Sequence, residues 1–514
     1  MNISGFRRAF AYAFDKTKVT AEFADGLFSV HDSIVPITSE FCIEDELDWN
    51  YFTNRTDIGN QILDELGFEI NSTTGWRDAP NGEPFTIEFS AKSYSPPSFW
   101  PSYLLIVRSI ANAAAEALNT LHIYTSYPGI YVGGFYPQHR ADMYIHDTYF
   151  SGNNIDWLGH DQPFISFTNA TFETTLENLL SGTSYDAVFE AGAEIQRILH
   201  YNVPRLVVCS GLLIQPYRTD SFTKMIEDIS RGISGIWSLC NMHSNSGSPG
   251  GTIRIGFLQN LRNLNIYTVD SPKARALLET ILPTLYTLGP NLELIPNLAT
   301  SMISETHADN SAIPEGHTRI TVDILSNATW SDGEPLTAVD VAYTVTYEYM
   351  SGTYGNPAAQ ELRDLLTAYA PTSTRVIFEY DTESYWHQFD RATRFIIPKH
   401  IFNDLDGIGY EEWNTWNPVF DSDEPLMTCG PFVIDYDSVI IDKWNKLIEL
   451  EMTRNPNYYY TARNLPENET ETQSPTTPGT QYPLNRFLIG FYASTMVWVM
   501  IILIIEYRRT PHNL

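Results

Sequence analysis

Basic residues are scarce in this chain, and cysteines scarcer still. Thirty-one Lys and Arg stand against 62 Asp and Glu, a formal charge of -31. Such a surface would repel a phosphate backbone, which excludes nucleic acid as a partner class. The surplus acid reads as a solvated surface, common in secreted proteins and in proteins adapted to high salt. Four cysteines, Cys42, Cys209, Cys240 and Cys429, form no CxxC pair, so neither a zinc ribbon nor a thioredoxin-type centre is encoded. A Cys209–Cys240 disulfide and buried free thiols stay open as alternatives. GxxxxGK, GxSxG and HExxH are all missing, which removes the usual P-loop, serine-hydrolase and zinc-protease routes. His139, His146 and His160 lack metal-ligand spacing. "FNDLDGIG", from Phe402, imitates part of a calcium loop, but Phe402 takes the first ligand position and Trp413 the twelfth. The chain is accordingly read as no enzyme, with no cofactor and no metal.

What is present suits a folded protein of several lobes: 43% apolar and 13% aromatic residues against 18% charged. Residues 5–19 read as one amphipathic helix closed by Asp15 to Lys18. A second helix, 104–121, carries Ile106, Ile110, Ala113, Ala117 and Leu121 at helical spacing and leads into the strand "HIYTSYP". A third, 185–200, aligns Val188, Ala191, Ile195 and Leu199, and Pro204 ends it before the strand "RLVVCS". The small residues of "MHSNSGSPGGT", 242–252, mark a linker. Beyond it come a strand "IRIGF", a helix 272–285, strands in "LIPNLATSM" and "RITVDIL", a helix 337–350, and a helix 358–370 with Leu362, Leu365, Leu366 and Tyr369 on one face. Alternating helices and strands give an α/β, mixed α+β, fold class.

Residues 487–505, "FLIGFYASTMVWVMIILII", carry no charge and just span a hydrocarbon core. Arg508 and Arg509 place the tail 506–514 in the cytoplasm and the bulk of the chain outside, a single-pass arrangement in the cell membrane. A Thr-, Pro- and Glu-rich stalk, 461–483, precedes this transmembrane helix. N-x-S/T sequons at Asn2, Asn54, Asn71, Asn169, Asn327 and Asn468 are compatible with glycosylation on that side. No apolar signal core follows Met1, so a longer reading frame upstream is expected.

Five motifs of the second half, in order, carry a resemblance: "LELIPNLATSM", "RITVDILSNATWSDGEPLTAVDVAYTV", "IIPKH", "TCGPFVI" and "RNPNYY". Together they make 253–460 resemble the N-terminal half of the extracellular solute-binding proteins of ABC importers, family 5, the peptide- and nickel-binding type. In 1–241, "FRRAFAYAFDKTKV", "NSTTGWRDAPNGEPFTIEF" and "ADMYIHDTYF" resemble the same family's C-terminal half. The halves thus stand in swapped order, either because the chain is a segment of a tandem protein, the favoured reading, or because it is circularly permuted.

The resemblance implies periplasmic-binding-protein-like class II lobes holding a solute, expected to be an oligopeptide, between them. Its implied partners are an ABC permease and its ATPase subunits. The ligand-facing segment would be 142–157, "DMYIHDTYFSGNNIDW". There Asp147, or alternatively Asp156, could pair with a ligand ammonium, and Tyr144, Tyr149 and Trp157 could stack on the ligand. Trp330, Asp332 and Gly333 read as a structural turn rather than a site. A cell-surface scaffold or adhesion protein that keeps the fold without transporting a ligand is the alternative, and a secreted hydrolase is a more distant one.

Overall fold

A computed structural model describes residues 4–24, 28–93, 101–126, 130–132, 143–145, 155–156, 158, 167, 169–211, 215–245, 253–256, 261–269, 271–421 and 423–460. The chain forms two compact units, the first up to Arg218 and the second from Thr219, which also takes in Ser181–Ser184.

Unit 1 opens with α1 (Ser4–Ala13) and α2 (Lys16–Ala24). The single helix expected over 5–19 is broken at Phe14–Asp15, because the Asp15 carboxylate accepts from Lys18 N at 2.8 Å and Thr17 Oγ1 at 2.7 Å. Those bonds satisfy the open N–H groups of a new helix start. There follow β1 (Phe28–Val30), α3 (Thr56–Glu65), β2 (Thr86–Ser93), α4 (Pro101–Thr120), β3 (Tyr124–Ser126), β4 (Ile130–Val132), β5 (Met143–Ile145), α5 (Ala170–Ser181), α6 (Tyr185–Asn202) and β6 (Cys209–Gly211). Strand β2 is the axis of a parallel sheet, pairing with β3, β4 and β5. Phe6, Phe14, Leu63, Phe68, Leu118 and Leu121 form the centre of its core. On α6 the expected stripe is buried: Val188, Ala191, Ile195 and Leu199 all face inward. The strand expected over "RLVVCS" is confined to Cys209–Gly211, since its antiparallel partner β1 offers only three residues.

Unit 2 contains β7 (Phe222–Thr223), α7 (Ile236–Asn241), β8 (His243–Ser244), α8 (Pro272–Ile281), β9 (Tyr286–Leu288), β10 (Leu294–Pro296), β11 (Ala299–Thr306), β12 (Thr318–Ile324), α9 (Ala338–Gly352), β13 (Leu365–Thr372), β14 (Arg375–Tyr380), α10 (His387–Asp390), α11 (Lys399–Phe402), β15 (Phe432–Ile441) and β16 (Leu447–Arg454). Its main sheet is antiparallel, in the order β11-β12-β14-β13. Strict alternation along β12 buries Thr318, Ile320, Val322 and Ile324 on one face.

The helix expected over 358–370 is not there. A 3-10 turn, Pro357–Leu362, gives way to β13, whose ladder with β14 sets Tyr369 opposite Ile377. The i, i+3, i+4, i+7 spacing of leucines mimics a helix, but the pairing partner decides the outcome, and Leu366 stays 57% exposed. Residues 253–256 of the expected strand "IRIGF" are irregular. The helix expected over 272–285 stops at Ile281, because Leu282 precedes Pro283 and takes extended dihedrals. Residues 219–241 pack with unit 2: Trp237 Nε1 donates to Leu288 O at 2.8 Å and Arg231 pairs with Glu279 at 2.6 Å. All four cysteines are free, Cys209 buried in unit 1 and Cys240 exposed in unit 2. Among the described residues no helix is long and apolar enough to cross a membrane; the expected transmembrane run 487–505 and the stalk lie outside them.

Candidate ligand-binding site

The segment expected to face ligand, 142–157, includes β5, whose register with β2 sets Tyr144 opposite Ser90 and ends at Ile145. In parallel sheets, ligands gather beyond the carboxyl ends of the strands. Asp147, Tyr149 and Trp157 lie outside the described residues. Asp156 is half-buried, held between Ile155 and Leu158, which are 1% and 0% exposed. Its turn is seated on α6 at Gly192, where a Cβ would stand 2.4 Å from Ile155 Cδ1. A Cβ at this position would make the end of the Ile155 side chain shift.

A second polar cluster in unit 1 escaped sequence reasoning. Lys16 is fully buried, and its Nζ donates to His31 O at 2.7 Å and to the Asp32 carboxylate. Asp32 Oδ2 accepts from Tyr51 N at 2.8 Å, while Glu44 accepts from the backbone N–H groups of Asp32 and Ser33 at 3.1 and 3.0 Å. Burial lowers the Lys16 pKa, and Asp32 opposes that shift. For Glu44 burial pushes upward, but hydrogen bonds from His31 and Ser33 prevail and leave it lowered. Burial also lowers His200, whose Nε2 lies 3.0 Å from Trp49 O. The adjoining cavity, lined by Asp32, Ser33, Tyr51, Gln196 and His200 among others, encloses about 20 Å³. That is room for one water, so this cluster staples the 31–51 segment and is no solute site.

In unit 2 the motifs read from the sequence are hydrogen-bonded into one frame. Trp330 is 1% exposed, and the turn after it closes through Gly333 N to Trp330 O at 2.9 Å, with Gly333 at φ +96°. Thr337 and Asp340 form a capping box at the start of α9. The same Asp340 accepts from Lys399 N at 3.0 Å, and His400 Nε2 meets Asp332 Oδ2 at 2.7 Å. "WSDGEPLTAVD" and "PKH" are thereby joined. Thr428 N donates to Ser331 Oγ at 3.1 Å, Asn455 Nδ2 to Gly430 O at 2.8 Å, and Tyr459 OH to Asn297 Oδ1 at 2.7 Å. These bonds tie in "TCGPF", "NPNYY" and "IPNLA". Each of the long-range bonds joins one motif to another, so the frame is architectural.

Around "FNDLDGIG", Asn403 Oδ1 and Asp404 Oδ1 accept backbone N–H groups, and Phe402 is buried against Trp416. Among the described residues no group of three His, Cys, Asp or Glu side chains could hold a metal ion. Of the sequons, Asn54 and Asn327 are exposed. Asn71 commits its Nδ2 to Asp78 at 2.8 Å, and Asn169 caps α5 through Phe172 N at 3.0 Å. Asn2 and Asn468 lie outside the described residues.

Comparison with known proteins agrees with the frame. Residues 293–478 match the model described as bacterial extracellular solute-binding proteins, family 5 middle. No curated protein matches the chain. Solved structures similar to it include the periplasmic oligopeptide-binding protein of an ABC transporter from Thermotoga maritima, at 20% identity over 47% of this chain and 50% of that one, TM-score 0.37. NikA from Brucella suis in complex with Fe(III)-EDTA is similar at 16% identity over 41% and 42%, TM-score 0.34. The oligopeptide-binding protein AppA from Bacillus subtilis, bound to a nonapeptide, is similar at 15% identity over 40% and 41%, TM-score 0.32. The chain spans about two fifths to one half of the length of these proteins. Over the segment 293–478, the chain is thus shown to match family 5 of the bacterial extracellular solute-binding proteins.

Proposed function

We propose that this chain is the solute-binding component of an ABC import system, that it takes up an oligopeptide, and that it hands the solute to a permease driven by separate ATPase subunits. The observation that carries this reading is the family match over 293–478, with its five motifs bonded into one frame. Unit 1 then supplies the counterpart of the family's C-terminal half, and the ligand-facing segment is 142–157, which includes β5. Asp147 or Asp156 holds the ligand ammonium, and Tyr144, Tyr149 and Trp157 offer stacking faces. The apolar run 487–505 anchors the chain, with sugar attached at the exposed Asn327 and Asn54.

Thermal unfolding of the full chain in the presence of a peptide library tests the reading. A ligand at about one hundred times its Kd adds about 2.7 kcal/mol, and Asp147→Asn or Asp156→Asn should abolish that shift. A library that shifts nothing, with both variants indifferent, would instead leave the surface scaffold. Carbonate extraction that releases the chain from membranes would remove the anchor from the proposal.

A further inference from the structure

The hairpin of β15 and β16 carries a tip unlike the rest of the surface. Trp444 is 62% exposed, and on the same hairpin Ile440 is 51% and Ile448 61% exposed. Lys443 Nζ lies 4.3 Å and Lys446 Nζ 5.8 Å from the centroid of the Trp444 ring. Within a chain of net charge -31, the exposed Glu449 stands opposite Ile440 at the edge of the tip, and the tip 440–448 itself contains two lysines and one acid, Asp442. That acid is turned inward: Asp442 Oδ1 accepts from Trp444 N at 2.8 Å and from Lys446 N at 3.0 Å. The turn is closed by Asp442 N to Lys446 O at 2.9 Å, with Asn445 in the left-handed region at φ +58°. The root is fixed as well, since Leu447 N donates to Leu261 O at 2.9 Å and Leu450 and Met452 pack on the unit 2 core. Nothing in this fixed turn requires an indole and two isoleucines in water.

We infer that the tip Ile440–Ile448 docks in the headgroup layer of an anionic bilayer. An indole flanked by aliphatic side chains settles at that depth, and lysines beside it keep their ammonium groups at the lipid phosphates. Attraction to anionic lipid falls off within about 10 Å. A chain this acidic is otherwise repelled, so its contact must be local. The inference rests on the proposed anchor for the nearness of the bilayer. Only 26 residues separate Tyr460 from Phe487.

The test reconstitutes the full chain in vesicles of brominated phosphatidylcholine and phosphatidylglycerol and reads tryptophan quenching in the wild type, Trp444→Phe, Trp498→Phe and Lys443→Gln/Lys446→Gln. Docking predicts that Trp444→Phe removes one tryptophan's worth of quenched emission, and that the double lysine variant loses most of the same component. Quenching unchanged in Trp444→Phe but reduced in Trp498→Phe overturns the docking and leaves the anchor standing. The reverse pattern supports docking and removes the anchor. Quenching unchanged in both overturns both, and an unchanged double lysine variant overturns the charge-guided contact with the bilayer.

Discussion

Replacing Asp32 by Ala should unfold unit 1 while sparing unit 2. The substitution strands the Lys16 ammonium, fully buried, with His31 O as its remaining partner, and removes the acceptor of Tyr51 N. Breaking a buried pair from one side costs about 3–5 kcal/mol, because the surviving charge has no water to return to. For a unit of roughly two hundred residues this lowers the melting transition by on the order of 10 °C. Calorimetry of the full chain reads this directly, as a transition that moves away from one that does not. The companion variant Lys16→Met/Asp32→Asn removes the ion but retains an acceptor for Tyr51 N, so it should recover most of the loss; neighbours in contact do not add. If Asp32→Ala costs less than about 1 kcal/mol, or if the double variant simply sums the two single losses, the network does not hold unit 1 together as described.

Other outcomes follow from the same geometry. Burial lowers His200 below its ordinary 6.5, so the unfolded chain takes up the proton first. Stability present above 6.5 is therefore lost as the pH falls through the folded value, and His200→Gln should flatten that slope in the unit 1 transition of pH-dependent unfolding curves. Trp330 is 1% exposed with no partner for its Nε1 among the described residues; Trp330→Ala should cost about 3–5 kcal/mol and Trp330→Phe much less, by denaturant titration. Thr337→Ala removes one arm of a capping box and should cost about 1 kcal/mol by the same titration.

Much of the second unit was legible because its motifs carry their own local chemistry. The Trp and Asp-Gly of the 330–333 turn specify a conformation from neighbours in sequence, and the structure makes that turn. What sequence could not show is who meets whom: Asp340 reaches Lys399 N and Tyr459 reaches Asn297 across more than fifty residues of chain. The error at 358–370 has the same origin. Leucine spacing is a local signal, and β14, which overrides it, is a tertiary fact. The Lys16 cluster was missed for a different reason: Lys16 lies in a quoted motif, but its partners Asp32, Glu44 and His200 stand in no motif with it, and an acidic chain offers many carboxylates to choose from. The tertiary bond to Lys16 singles out Asp32.

The contrast between the two units bears on how the solute reading should be pursued. In unit 2 the polar side chains named in the motif frame bond to one another, so substitution there reports on folding and says little about ligand. Asp156 stands between two buried residues, Ile155 and Leu158. Asp156→Asn keeps the shape of the side chain, so its melting transition read without ligand separates the two roles its carboxylate can have. A transition within about 0.5 kcal/mol of wild type together with lost ligand response supports the ammonium contact. A large loss of stability in that variant would mean the carboxylate holds the fold, and would move the candidate to Asp147.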